Sequence, residues 1–121
     1  MRGAQETGPP VLEADPEGLD GLLASERQRL VVLYLWRPSC PNCDFFAARL
    51  PCLLEALGSA PVVVVKMNAD AHPETARRYG VYGLPHFVLF TAGRRIGKMS
   101  EFRGDEFWLS VIREHLPAPA D

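Results

Sequence analysis

Val31-Val32-Leu33-Tyr34-Leu35-Trp36-Arg37-Pro38-Ser39-Cys40-Pro41-Asn42-Cys43 decides the reading of this chain. Leu30 to Trp36 is apolar at nearly every position, the pattern of a central strand covered on both faces. A helical pattern follows through Asp44-Phe45-Phe46-Ala47-Ala48, which puts Cys40 and Cys43 on its first turn. Thiols at that spacing can close and reopen as a disulfide with little backbone movement. The free N–H groups and positive end of a helix favour a thiolate there. The pair is therefore a redox motif or half of a metal site, and the rest of the chain has to decide.

The 121 residues make one domain, large enough for a core without staples. Hydrophobic residues at 47% and charged residues at 23% fit an ordinary globular protein. A formal charge of -2 offers no electrostatic case for nucleic acid or an anionic membrane surface. Three cysteines do not form a secreted disulfide framework, and no apolar run has the length of a membrane span. The expectation is a monomer in reducing cytoplasm, where a close cysteine pair serves catalysis or metal binding. Residues 1–10 read as a flexible tail, 11–117 as the domain and 118–121 as a second tail.

Val11-Leu12-Glu13 reads as a short strand, and Asp15-Pro16 as the cap and first residue of a helix with Leu19, Leu22 and Leu23 on one face. The helix after Cys40 places Cys43, Phe46, Leu50, Leu54 and Leu57 on one stripe, with a kink expected at Pro51 and a stop at Gly58. Pro61 to Met67 is a second buried strand, and Pro73 opens a short helix ending near Tyr79-Gly80. Phe87 to Thr91 and Arg95 to Phe102 flank an Ala92-Gly93 turn. Asp105 to Leu116 is a final helix with Phe107, Trp108, Val111 and Ile112 inward. The order βαβαβαββα predicts an α/β fold: a mixed central sheet with helices on both faces.

Lys66-Met67-Asn68-Ala69-Asp70, Pro73, Thr75-Ala76, Tyr79-Gly80-Val81 and Gly83-Leu84-Pro85, taken with the Cys-x-x-Cys, resemble the thioredoxin family almost position by position. The likeness is strong over about residues 31 to 95 and rests on element order elsewhere. It implies a thioredoxin fold and a thiol–disulfide oxidoreductase acting on protein disulfides. Cys40 matches the attacking cysteine, Cys43 the resolving one and Pro85 the cis-proline beside which the Leu84 backbone meets substrate. Trp36 matches the tryptophan flanking the site, with a core aromatic as its alternative. No bound cofactor or metal is implied, because the electrons reside in the dithiol. A thioredoxin-reductase-type enzyme or another thiol donor would recycle it.

Four departures shape the expected activity. Tyr34 stands where the family buries an aspartate that moves the proton of the resolving thiol, and a phenol is a poor base near neutral pH. Lys66, the usual partner of that aspartate, remains; it is expected to pair with the Tyr34 hydroxyl or lead its head group to water. Ser39 replaces the tryptophan before the first cysteine, and Pro41-Asn42 replaces Gly-Pro between the two. Proline after the nucleophile is similar to the glutaredoxins and periplasmic oxidases, whose potentials are less reducing. His86 follows Pro85 where threonine is common, placed to influence the thiolate or touch substrate, and Arg37 would add to the positive field.

The competing readings are a docking module with vestigial cysteines, a glutaredoxin-like enzyme using glutathione, and a zinc site. Zinc would want ligands beyond the pair, and Cys52, His72, His86 and His115 are scattered in the alignment. Cys52 reads as a small buried core residue, His72 as a helix-entry residue and His115 as a contact with a helix C-terminus. Arg94, Arg95 and Lys98 read as charges guarding an edge strand.

Overall fold

Leu30 to Leu35 and Val62 to Val65 are buried at every position, so side chains on both faces of these strands need cover. A computed structural model describing residues 8–118 shows how it is supplied. The elements are β1 (Val11–Glu13), α1 (Pro16–Ser25), β2 (Leu30–Trp36), α2 (Pro41–Leu57), β3 (Val62–Asn68), α3 (Pro73–Arg78), β4 (His86–Thr91), β5 (Arg94–Met99) and α4 (Asp105–Glu114). The sheet runs β1-β3-β2-β4-β5; β1 and β2 flank β3 in parallel, while β4 and β5 are antiparallel additions. This is the expected mixed sheet.

Alternation along the strands divides the core. Val32, Tyr34, Val64, Phe87 and Leu89 face α2 and α4, where they meet Phe46, Leu53, Trp108 and Ile112. Val31, Leu33, Leu35, Val65 and Val88 face the other way and meet Leu19 of α1 and Tyr79 after α3. Arg49 on α2 reaches Asp105 on α4 with two hydrogen bonds, at 3.2 and 2.6 Å, and ties the first pair of helices together.

Local chemistry sets the element ends. Asp15 Oδ1 accepts the Gly18 N–H at 2.7 Å with Pro16 at the first helical position, as the cap signal predicted. Ala92 and Gly93 have φ of 51° and 81°, so the β4–β5 turn holds both central residues in the left-handed region.

Three expectations need correction. The fully buried residue in the fourth turn of α2 is Leu53, with Leu50 and Leu54 half-buried beside it. Phe107 is 40% exposed, because it lies about 100° round α4 from the buried Trp108, and the Arg103 guanidinium stands 5.3 Å from its ring centre. Cys52 is an exposed free thiol. It lies off the buried stripe, and a helix packed on one side gives its opposite face to solvent. Of the expected N-terminal tail, residues 1–7 lie outside the described region; Pro9 is buried and the Pro10 carbonyl accepts the Val64 N–H at 3.0 Å. Of the C-terminal one, Ala118 is exposed and 119–121 lie outside.

Candidate active site

β2 ends at Trp36, and Arg37 to Ser39 carry the chain to the head of α2. Cys40 occupies the cap position and Pro41 the first turn, where the missing proline N–H leaves no extra donor unpaired. Cys40 and Cys43 are joined as a disulfide, with their Cα atoms 5.2 Å apart. The Cys43 N–H donates to Cys40 Sγ at 3.2 Å. In the reduced protein that donor and the helix N-terminus favour a Cys40 thiolate. Cys40 is half-buried and Cys43 is 2% exposed, so an incoming reactant reaches the first sulfur before the second.

Gly83-Leu84-Pro85 brings a second element to the pair. The Leu84–Pro85 bond is cis, and the Leu84 carbonyl oxygen lies 4.0 Å from Cys40 Sγ. Beside it Asn42, Phe45, Leu84, Pro85, Glu101 and Phe102 line a cleft of about 270 Å³. Phe45 is 60% exposed and its ring centre is 5.8 Å from that of Phe102. Sequence reasoning passed over Phe45, Glu101 and Phe102. The available signal was an aromatic residue at an outward position of α2.

Tyr34 is buried in the core between the sheet and α2, its ring edge-on to Phe46 at 4.9 Å and stacked on Phe87 at 5.7 Å. Burial, with a smaller contribution from the Asp44 charge, pushes its phenol up to about 12. It is neutral at any physiological pH and takes no proton from a thiol. Lys66 pairs with Tyr34 in the β2–β3 register, yet its Nζ sits 4.8 Å above the ring centre of the half-buried Trp36. This cation–π placement replaces the expected bond to the phenol.

Ser39 has φ of 58°, a left-handed conformation uncommon for a residue with a Cβ. Arg37 is directed to Asp70, Nε to Oδ1 at 3.9 Å, so its field is partly offset. His86 is not brought to the dithiol. It follows the alternation of Val88 and Phe90, on the face opposite α2, and is 1% exposed with neither ring nitrogen hydrogen-bonded. Burial, then the charges of Lys98 and Arg95, lower it to about 4. The expected contact with substrate or thiolate is absent because strand alternation turns this ring into the core.

Among the described residues, no three His, Cys, Asp or Glu side chains gather where a metal ion could be held. No helix among them is long and apolar enough to cross a membrane.

A family model described as Thioredoxin matches residues 11–114. The thioredoxin of Bacillus subtilis is 27% identical over 77% of this chain and 88% of its own length. Glutaredoxin-3 of Bos taurus is 27% identical over 92% of this chain, which spans only 33% of that protein. Among solved structures, Schistosoma mansoni thioredoxin superposes with a TM-score of 0.73 at 23% identity, covering 88% of this chain and 95% of that one.

Proposed function

The chain belongs to the thioredoxin family, and from that premise we propose that it is a thiol–disulfide oxidoreductase acting on protein disulfides, less reducing than a housekeeping thioredoxin. The observation that carries this reading is the Cys40–Cys43 disulfide on the first turn of α2, with Cys43 shielded and the Leu84 carbonyl 4.0 Å from Cys40 Sγ. In the reduced state the Cys40 thiolate attacks one sulfur of a substrate disulfide. A mixed disulfide forms, and the other substrate sulfur leaves as a thiolate that takes a proton from water. Cys43 then loses its proton and attacks Cys40 Sγ. The internal disulfide closes, the second substrate thiol leaves, and two electrons have passed to substrate.

Leu84 and Pro85 would position an extended substrate segment, with Trp36 at the flank of the site. Tyr34 cannot accept the Cys43 proton, so the closing step relies on water and is slow. Pro41 and the Cys43 N–H support a stabilised thiolate and hence a higher potential. A reductase or another thiol donor would return the electrons, and the working state is a monomer in a reducing cytoplasm. Redox titration against a glutathione or dithiothreitol couple, run beside insulin-disulfide reduction, tests the proposal. The expected midpoint is less negative than about −240 mV, against about −270 mV for thioredoxin. Activity should depend on Cys40. A midpoint at or below the thioredoxin value removes the less-reducing half. Equal, negligible insulin reduction by the wild type and Cys40→Ser supports a docking module instead.

A further inference from the structure

A second cleft, of about 370 Å³, opens on the α2 side of the sheet, and neither cysteine of the dithiol lines it. Pro9, Leu50 and Leu54 give it apolar walls. Tyr34 reaches it from the core with only 2% of its surface exposed. Among the described residues the Tyr34 hydroxyl takes part in no hydrogen bond. The polar side-chain atoms that are sealed in without a partner belong to His86, Thr91 and Trp108. The Tyr34 Oη is not one of them, so it meets open space, and the space this residue borders is the cleft. A second polar group stands in the wall. Pro51 has no N–H to give the Ala47 carbonyl one turn back, so that helix acceptor lacks its usual donor, and both residues line the cleft.

We propose that this cleft binds a small, uncharged, mostly apolar molecule carrying a hydroxyl group, which accepts from Tyr34 Oη and donates to the Ala47 carbonyl while its body lies against Leu50, Leu54 and Pro9. An unpartnered hydroxyl on a side chain this buried calls for a partner arriving through the cleft. Burial keeps that hydroxyl protonated, so it has a hydrogen to give. The Ala47 carbonyl only accepts, so the partner must also donate; an alcohol or phenol does both, and a ketone or ether does not. The walls carry no carboxylate to attract a cation. Lys66 also borders the cleft, but its ammonium stands 4.8 Å over Trp36, which with Lys66 lines a neighbouring cleft holding Glu13 and Asp15. Its charge is engaged on that side, and an anion would lie against apolar walls here. Water alone would serve the two polar atoms and leave the apolar walls wet. The volume is at the low end for ligand sites, so the body is about one ring in size.

Amide-resolved NMR titration of the intact, oxidised protein with phenol, at about pH 6.5 where phenol is uncharged, tests this. Fluorobenzene, which keeps the ring and lacks the hydroxyl, and benzoate and benzylammonium, which add a charge, are the companion probes. Phenol should give saturable shifts centred on Tyr34, Ala47, Leu50 and Leu54, with a dissociation constant on the order of 1 mM. It should bind more tightly than fluorobenzene, although fluorobenzene is the more hydrophobic of the two. Tyr34→Phe should weaken phenol about fivefold, the loss expected for one neutral hydrogen bond, and leave fluorobenzene no weaker. Pro51→Ala supplies the missing helix N–H to Ala47 without loss of helix propensity, and should weaken phenol by a similar factor. This second variant keeps the test decisive if Tyr34→Phe disturbs the core. No saturable shift with phenol overturns the proposal. So do shifts centred elsewhere, fluorobenzene, benzoate or benzylammonium binding the wild type as tightly as phenol, or an unchanged phenol affinity in either variant.

Discussion

Lowering the pH from 7 to 4 should destabilise this protein through His86 alone, before the carboxylates contribute their full share. In the folded chain the ring is 1% exposed, and burial, with the charges of Lys98 and Arg95, holds it down to about 4. In the unfolded chain it titrates near 6.5. Between those values the unfolded state binds a proton that the folded state does not, so stability rises with pH through the window. The contribution is complete above about 6.5 and is lost as pH falls towards 4. At about 1.4 kcal/mol per pH unit, the whole window is worth about 3 kcal/mol. His86→Leu removes the titration and also the two ring nitrogens that have no hydrogen-bond partner. The variant should therefore be about 1–2 kcal/mol more stable than wild type at pH 7.5 and show a larger gain, by about 3 kcal/mol, at pH 4. Urea unfolding of both oxidised proteins at half-unit pH intervals gives the difference curve, in which the shared carboxylates cancel. A difference that stays flat between pH 4 and 7 would refute the reasoning.

Three further outcomes are expected. Ser39→Gly should raise stability by about 1 kcal/mol in chemical denaturation, because glycine adopts φ of 58° without a Cβ clash; a loss of stability would contradict it. Tyr34→Asp should speed closure of the mixed disulfide at pH 7 by about tenfold or more in stopped-flow measurements, since a buried phenol held up to about 12 is no base and a carboxylate is. An unchanged closing rate would remove Tyr34 from the account. Leu53→Ala should cost about 3 kcal/mol in denaturant unfolding, as for other fully buried leucines, and a cost under about 1 kcal/mol would contradict its place in the core.

The strands were legible because buried parallel strands leave an uninterrupted apolar signature. Leu30 to Trp36 was located to the residue, and the second, read as Pro61 to Met67, runs from Val62 to Asn68. Asp15-Pro16 marked a helix start for a local reason, a side chain capping its own first turn. The dithiol and the cis Leu84–Pro85 bond were legible for a different reason, as a family pattern. What escaped depends on which neighbour arrives from elsewhere in the chain. Helical periodicity limited Phe107 and Cys52 to an arc, yet only the packing of α2 and α4 decided that both face solvent. His86 sits one residue from Pro85 in sequence, but alternation in β4 sends its ring through the sheet, away from Cys40. The positive φ of Ser39 carries no composition signal, because the usual marker of that conformation is glycine.

The most direct test asks which sulfur makes the bond to substrate. In a Cys52→Ala background, which removes the exposed free thiol, Cys43→Ser and Cys40→Ser are each reduced and mixed with a disulfide-bonded peptide. Intact-mass and peptide mapping then locate the adduct. The account predicts a stable mixed disulfide on Cys40 in the Cys43→Ser protein and none of comparable yield on the shielded Cys43 in the Cys40→Ser protein. An adduct that forms preferentially on Cys43, or no adduct in either protein, would contradict it.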